Sequence, residues 1–390
     1  MRIAVIVGTR PEAIKIAPVI YQLRRRSDVF DVVVVTTAQH REMLDQALSL
    51  FGIIPAYDLN LMYPGQSLAG ITSRIIDHMD STLGKIHPDM VLVQGDTSTV
   101  FISALAAFYR AIPVTHVEAG LRSYDLKNPF PEEANRRLTS VLAEINCAPT
   151  ALARNRLLQE GVSPQKIIVT GNTAVDALQH MLDMPFSFAG SPLEKFNFEK
   201  QRTVLVTCHR RESWGRDIEE IFLALTDVAN KFSDVQIIYP VHLNPEVQHI
   251  AQKILSNIDR IHLVPPLDYL TFINLMKRSD LILTDSGGIQ EEAPTFGTPL
   301  LVLRSVTERP EALEWGLTKV IGTTREAIVK ESSHILKDGG TAAAVIVANP
   351  YGDGMAASRI TEAIERWSRG LHPLLEPERE FIRQRDNSIL

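Results

Sequence analysis

Short apolar runs rich in β-branched residues alternate with longer segments of helical periodicity along most of the chain. Such runs predict parallel strands whose sheet is covered by helices on both faces. They fall into two series, RIAVIV, DVVVVTT, DMVLVQ, IPVTHV and KIIVTG in the first half and TVLVT, VQIIYP, RIHLV, DLILT and PLLVL in the second. The pattern therefore predicts an α/β protein with two Rossmann-like, doubly wound domains.

The segment between the two series marks the predicted domain junction. Residues 181–202 are rich in proline, glycine and phenylalanine and show no strand periodicity, so we expect a linker there. This places an N-terminal domain at 1–180 and a C-terminal domain at 203–355, facing one another across a cleft that could hold a medium-sized ligand. Residues 356–390 are expected to form a helix and then, after Leu371, a charged and peripheral tail.

The overall composition is that of an ordinary soluble globular protein. The chain has 390 residues, of which 45% are hydrophobic and 22% charged, with a formal net charge of −6. This mildly acidic balance argues against a nucleic-acid partner. Two cysteines, Cys147 and Cys208, are too few for a disulfide framework and are expected in the core. Because no apolar stretch is long enough to span a bilayer, we expect a cytoplasmic protein with no membrane partner.

Polar residues collect where the predicted strands end. Ligands of open α/β sheets bind beyond the carboxyl ends of the strands, so these positions are the candidate site. In the first half they hold Arg10, Lys15, Asp96 and Glu118, and in the second half His209, His242 and Ser286-Gly287-Gly288.

Two of these turns suit a phosphate group. Ser286-Gly287-Gly288 before a helix can present several N–H donors and let a pyrophosphate approach closely, or it can be a simple N-cap with flexible turn residues. Glu291 and Glu292 follow it, and a carboxylate there can accept hydrogen bonds from ribose hydroxyls or complement the helix dipole. Arg10 is either a phosphate ligand or a solvated surface arginine. Because the first turn lacks the G-x-G-x-x-G spacing, a nicotinamide dinucleotide is not favoured.

The carboxylates of the first half are candidates for proton transfer. Asp96 and the pair Glu132-Glu133 also fit ordinary positions near helix starts, so each is a weak signal alone. Asp96 and Glu118, however, end neighbouring strands of one predicted sheet, where carboxylates with perturbed pKa values could meet a bound sugar. His209 lies among arginines that disfavour its protonated form. Since no ligand pattern of zincin spacing surrounds it, we expect no metal and no other cofactor.

Ten stretches of the sequence, in order from residue 1 to about 365, resemble the non-hydrolysing UDP-N-acetylglucosamine 2-epimerases of bacteria. These stretches are GTRPEAIKIAP, TAQHREMLDQ, VQGDTSTV, HVEAGLRS, PFPEEANRR, CHRRESWGR, YPVHLNP, LTDSGGIQEEAP, TERPEAL and NPYGDGMAASRI. The resemblance implies a GT-B-type architecture, with UDP held largely by the C-terminal domain. It also implies a homodimer.

The resemblance assigns roles to individual residues. It implies substrate contacts at Arg10, Lys15, Asp96, Glu118, His209, Phe272, Ser286, Gly287, Gly288, Glu292 and Arg309. Among them, the serine-glycine turn lies at the diphosphate or uridine, Glu292 at the ribose and Phe272 against the nucleotide. Leu267 stands where some family members carry a polar residue near the uracil. Catalytic positions are implied for Lys15, Asp96, Glu118, Glu132 and His209, and a second, activating UDP-N-acetylglucosamine is implied near Arg210 and His242.

The chemistry of the implied reaction can be argued independently. The proton at C2 of the sugar is not next to a carbonyl, so an enzyme must either oxidise C3 or expel UDP from C1 as C2 loses its proton. The missing dinucleotide fingerprint favours elimination to 2-acetamidoglucal, followed by re-addition of UDP to give UDP-N-acetylmannosamine for cell-surface polysaccharides. Elimination needs a base, an acid on the opposite face and cations for the diphosphate. Asp96, Glu118 and Glu132 are the acid/base candidates, without an order among them.

Three alternatives remain at this stage. A hydrolysing epimerase would release the free sugar and UDP. A UDP-sugar glycosyltransferase of the same fold would use the same nucleotide contacts but would need an acceptor site. A sugar-nucleotide sensor would bind without catalysis, and the acid/base set would then be superfluous.

Overall fold

The computed structural model describes residues 1–37, 41–63, 65–208, 215–316, 318–337 and 349–382. The chain separates into two compact units. The first unit comprises Met1–Gln179 together with Tyr351–Leu390, and the second comprises His180–Pro350.

The first unit is built on a seven-stranded parallel sheet in the order β3-β2-β1-β4-β5-β6-β7. Its strands are β1 (Arg2–Val7), β2 (Asp31–Thr36), β3 (Tyr57–Asp58), β4 (Met90–Gln94), β5 (Val114–Val117), β6 (Ile145–Ala148) and β7 (Ile167–Val169). Its helices are α1 (Arg10–Arg25), α2 (Arg41–Leu50), α3 (Leu68–Ile86), α4 (Ser98–Tyr109), α5 (Glu132–Leu142), α6 (Ala151–Gln159) and α7 (Thr173–Leu182), whose last residues enter the second unit.

The second unit repeats this plan with a six-stranded parallel sheet in the order β10-β9-β8-β11-β12-β13. Its strands are β8 (Arg202–Thr207), β9 (Val235–Pro240), β10 (Ile261–Val264), β11 (Leu281–Thr284), β12 (Leu300–Val302) and β13 (Thr318–Val320). Its helices are α8 (Arg216–Lys231), α9 (Pro245–Leu255), α10 (Tyr269–Lys277), α11 (Gly287–Glu292) and α12 (Arg325–Lys337). The chain then returns to the first unit, where α13 (Ala356–Ser368) packs against α1.

The strand order reverses once in each sheet, between β1 and β4 and between β8 and β11. At such a switch point the connections leave toward opposite faces and open a crevice beyond the carboxyl ends of the strands. The turns after β1 and β4 carry Arg10 and Asp96, and the turn after β11 carries Ser286. The fold therefore brings candidate residues to the position where doubly wound sheets bind ligands.

The predicted α/β class with two doubly wound parallel sheets is confirmed, and all ten predicted runs form strands. Three further strands, β3, β6 and β13, escaped prediction because they are short and lack a continuous apolar run. Cys147 and Cys208 are buried, as expected. Within the described ranges, no helix combines the length and the apolar composition that crossing a membrane requires.

The expectation of a peripheral tail is wrong for the described residues after Leu371. Leu374, Leu375 and Phe381 are buried. The backbone N–H of Phe381 donates to the carbonyl of Val169 at the end of β7, with an N–O distance of 2.9 Å. The tail is thus fixed to the first unit by a few isolated apolar side chains, which show no helical or strand periodicity in the sequence.

Candidate active site

The turn after β1 is shaped by a glycine and a helix cap. A Cβ on Gly8 would lie 2.5 Å from the hydroxyl oxygen of Thr99, so a larger residue cannot occupy this position without moving the neighbouring turn. The side chain of Thr9 caps α1, and Pro11 stands in its first turn, where no N–H is needed. Arg10 is half-buried at the first position of the helix.

Glu12 points inward from this first turn and is only 3% exposed. Its Oε2 accepts the backbone N–H of Gly8 at 2.6 Å, and its Oε1 accepts the hydroxyl of Thr97 at 2.7 Å. Burial raises the pKa of Glu12 to about 7, although the hydrogen bonds from Thr97 and Gly8 oppose the shift. The sequence interpretation missed this residue, because a glutamate in a first helical turn usually complements the dipole in solvent.

Glu118 follows β5 and is held in an unusual conformation. Its φ of +66° lies in the left-handed region, which is rare for a residue with a large side chain. The Nζ of Lys15 donates to its Oε2 at 2.5 Å, and the side chains of both are almost fully buried. Gln94 and Asn172 also donate to Oε2, at 3.2 and 3.3 Å. A strained, buried carboxylate with several aimed donors is typical of a catalytic position.

Asp96 stands at the end of the neighbouring strand and is fixed by α5. The guanidinium of Arg136 lies 2.6 Å from its Oδ2, and Asn135 donates to its backbone carbonyl at 2.9 Å. About a quarter of the Asp96 side chain remains exposed, so it is accessible to a ligand. Glu132 is half-buried at the first position of α5. Glu133, by contrast, is fully buried and accepts from the backbone N–H of Ser123, which suits a structural role.

In the second unit, the turn after β11 is supported by a buried arginine. A Cβ on Gly287 would lie 2.6 Å from the guanidinium of Arg309, so the arginine packs directly on this backbone. Arg309 is 6% exposed and binds the Oε1 of Glu291 at 2.5 Å and the Oε1 of Glu308 at 2.6 Å. The backbone N–H of Ser286 donates to the hydroxyl of Thr284 and orients the start of α11.

The other proposed nucleotide contacts lie around α10 and α11. Glu292 is nearly buried and accepts the hydroxyl of Tyr269 at 2.8 Å. Phe272 is half-buried on α10, and Leu267, just before this helix, is 7% exposed. His242 is exposed after β9, and its Nδ1 accepts the backbone N–H of Asn244.

His209 and Arg210 lie outside the described residues. Among the residues that are described, no three or more His, Cys, Asp and Glu side chains form a group that could hold a metal ion. Besides Glu12, the sequence interpretation missed Gln94, Asn172 and Arg136, which orient candidate carboxylates. Their positions near predicted strand ends and helices can be read from the sequence, but the distant residue that each of them contacts cannot.

Comparison with known proteins adds independent information. The family model described as UDP-N-acetylglucosamine 2-epimerase matches residues 22–365. A UDP-N-acetylglucosamine 2-epimerase of Escherichia coli strain K12 is 50% identical over 371 residues, which cover 94% of this chain and 98% of the relative. This coverage includes both sheets.

Solved structures agree with these matches. A complex of S. aureus MnaA with UDP has a TM-score of 0.89 at 47% identity and covers 94% of this chain and 97% of its own. A Neisseria meningitidis UDP-GlcNAc 2-epimerase bound to UDP-GlcNAc has a TM-score of 0.88 at 45% identity, covering 94% and 100%. A glycotransferase of kitacinnamycin has a TM-score of 0.61 at 12% identity, a likeness of fold alone.

Proposed function

The chain belongs to the UDP-N-acetylglucosamine 2-epimerase family, and we propose that it reversibly converts UDP-N-acetylglucosamine into UDP-N-acetylmannosamine. The observation that carries this proposal is the Lys15–Glu118 pair at the end of β5, where a buried carboxylate is held with φ of +66° against an ammonium group 2.5 Å away. A base confined in this way keeps its geometry when a substrate arrives.

The proposed reaction is an elimination followed by an addition. A carboxylate takes the proton from C2, the C2–H electron pair forms a C1–C2 double bond, and the C1–O bond breaks as UDP departs with its electron pair. The products held in the site are 2-acetamidoglucal and UDP. In the return step a diphosphate oxygen attacks C1 while an acid delivers a proton to the opposite face of C2. Because no oxidation occurs, the reaction requires no redox cofactor.

We assign proton transfer to Glu118, Asp96 and Glu132, without an order among them. Lys15 binds Glu118 directly, which favours the ionised, basic form of that carboxylate. Arg136 binds Asp96 through its guanidinium, 2.6 Å from Oδ2. The cation that binds Asp96, Arg136, belongs to α5, which begins with Glu132.

We assign nucleotide binding mainly to the second unit. Ser286, Gly287 and Gly288 would present backbone donors to the diphosphate, with Arg309 supporting the turn from behind. Glu292 would accept from the ribose, and Phe272 would contact the base. Arg10, Lys15 and His209 would stabilise the departing UDP. Arg210 and His242 are proposed to contact an activating second UDP-N-acetylglucosamine.

We further propose a cytoplasmic homodimer that supplies N-acetylmannosamine units for cell-surface polysaccharides. Exposed apolar side chains on two adjacent helices support the dimer: Phe108 and Tyr109 on α4 and Leu138 and Val141 on α5. An apolar surface of this kind is typical of a subunit interface. Light scattering of the purified protein is expected to give twice the mass of the chain, and a monomeric mass would contradict the dimer.

Deuterium exchange tests the catalytic proposal directly. The purified protein is incubated with UDP-N-acetylglucosamine in deuterium oxide, and both UDP-sugars are examined by NMR and mass spectrometry. We expect deuterium at C2 of products that still carry UDP. Accumulation of free sugar would instead indicate a hydrolysing epimerase, and complete absence of exchange without an acceptor would indicate a transferase or a sensor.

A further inference from the structure

We propose that Glu12 is a positioning residue, whose carboxyl group ties the turn that carries Arg10 to the turn that carries Asp96. This inference rests on the proposed function, because it concerns the placement of a proposed phosphate contact relative to a proposed acid/base group. The tie joins the ends of β1 and β4, the two adjacent strands where the order of the first sheet reverses.

The two hydrogen bonds come from different parts of the chain. The backbone N–H of Gly8, directly after β1, donates to Oε2 at 2.6 Å. The hydroxyl of Thr97, 85 positions away from Glu12 in the sequence, donates to Oε1 at 2.7 Å. The distance from Gly8 is short for an N–H donor, and the distance from Thr97 is normal for a hydroxyl donor. One rigid, planar group therefore sets the spacing of the two turns.

Thr97 transmits this constraint to Asp96. Its hydroxyl oxygen accepts the backbone N–H of Val100 and so caps α4, while its hydrogen goes to Glu12. Asp96 is the residue immediately before Thr97 and is bound on its other side by Arg136 from α5. The acid/base candidate is thus fixed between α5 and Glu12.

Glu12 is a costly choice for a structural contact alone. A carboxyl group that is 3% exposed loses hydration, and its pKa of about 7 reflects that loss. A dipole-complementing glutamate would have the same position in the sequence but could remain in solvent. Glu12 instead receives one donor from each turn, which an apolar residue could not do.

Paired variants distinguish a positioning role of the Glu12 hydrogen bonds from a role in folding stability alone. Thr97→Val removes the hydroxyl but keeps the shape, and Glu12→Ala removes the carboxyl group. Each is expected to lower kcat about tenfold or more while KM changes less than about threefold, because misplacement of reacting groups affects the chemical step most. Thr97→Ser keeps the donor, and the amide of Glu12→Gln can accept from Gly8 and donate to Thr97. Both conservative variants are expected to stay within about threefold of the wild-type kcat.

Ser67→Ala is the matched control, because Ser67 caps α3 as Thr97 caps α4 but is exposed and donates to no carboxylate in the described contacts. It should lower the melting temperature through loss of the cap, by less than Thr97→Val, which also removes a donor to a buried carboxyl group, and it should not lower kcat. Circular dichroism verifies that each variant is folded. If Thr97→Val does not fold, the comparison is made with Glu12→Ala.

The outcomes distinguish two failures. If the wild type does not epimerise, the proposed function is wrong and this inference is wrong with it. If the wild type turns over and both Thr97→Val and Glu12→Ala match its kcat, only the inference is overturned. A loss of kcat in Ser67→Ala equal to that in Thr97→Val would likewise overturn it, since the effect would then follow from lost helix capping.

Discussion

The carboxyl edges of the two sheets hold their carboxylates in different ways. In the first unit, Glu12 is buried and accepts hydrogen bonds from two neutral donors. Glu118 accepts hydrogen bonds from one ammonium group and two side-chain amides. In the second unit, Glu291 and Glu308 are both bound by the guanidinium of Arg309. An arginine keeps its proton, so Arg309 remains a fixed positive charge behind this turn. In the first unit Asp96 is also bound by an arginine, Arg136, but about a quarter of its side chain is exposed, whereas the side chains of Glu291 and Glu308 are almost fully buried.

The two sheet edges therefore suit different tasks, although both belong to the same kind of fold. Glu118, held by a lysine and two amides, and Asp96, bound by Arg136 but about a quarter exposed, can exchange protons with a ligand, as acid/base chemistry requires. Carboxylates neutralised by arginine leave the neighbouring backbone donors of Gly287 and Gly288 available for an anion without strong repulsion. The first edge is therefore suited to proton transfer and the second to nucleotide binding.

The largest expected effect comes from the first edge. Glu118→Gln keeps the size of the side chain but removes its basicity, and we expect turnover to fall by about 10²- to 10⁴-fold. Deuterium incorporation at C2 and net epimerisation are measured together. Glu144→Gln is the matched control, because Glu144 forms an ordinary exposed pair with Lys166. Unchanged exchange in Glu118→Gln would remove Glu118 from the proton-transfer set.

The next effect concerns the pH dependence of stability. The folded-state pKa of Glu12 is raised from 4.5 to about 7, so between these values the folded chain holds a proton that the unfolded chain releases. Its contribution to the free energy of unfolding is complete below pH 4.5 and is lost as the pH rises through about 7. The loss amounts to up to about 3 kcal/mol.

Urea unfolding between pH 4.5 and 8 checks this sign. The free energy of unfolding of the wild type, measured relative to Glu12→Gln, should decrease with rising pH. A difference between wild type and Glu12→Gln that stays constant across this range would mean that Glu12 is ionised throughout it.

The sequence was sufficient for the architecture, and it also suggested candidate site residues. Ten apolar runs predicted ten strands because buried parallel strands are apolar on both faces. The strand β6 was missed since the buried, polar Asn146 interrupts its run, and β13 since Lys319 is exposed. Arg10, Asp96 and Glu118 could be proposed from strand ends alone.

Roles that depend on contacts distant in the sequence could not be predicted. Glu12 has the sequence position of a dipole-complementing residue, and its inward direction follows from the close approach of Gly8 to the turn at Thr97. Asn172 lies 54 positions from Glu118, which it contacts through its side chain. Periodicity specifies elements, whereas such pairs depend on how loops from several strands converge.

The smallest expected effect tests the second edge with two adjacent glycines. The Cβ of Gly287→Ala would displace the guanidinium of Arg309 from its carboxylates, with an expected loss of roughly 1–2 kcal/mol of stability. Apart from its chain neighbours and the backbone of its own helix, no atom of the described residues lies within 4 Å of a Cβ on Gly288, so Gly288→Ala should be neutral or stabilising by up to about 1 kcal/mol. Thermal unfolding measures the stability of the two variants, and calorimetric titration with UDP measures their affinity for the nucleotide. Weaker UDP binding by Gly288→Ala at undiminished stability would support close approach of the diphosphate, whereas equal behaviour of both variants would contradict the distinct role of Arg309.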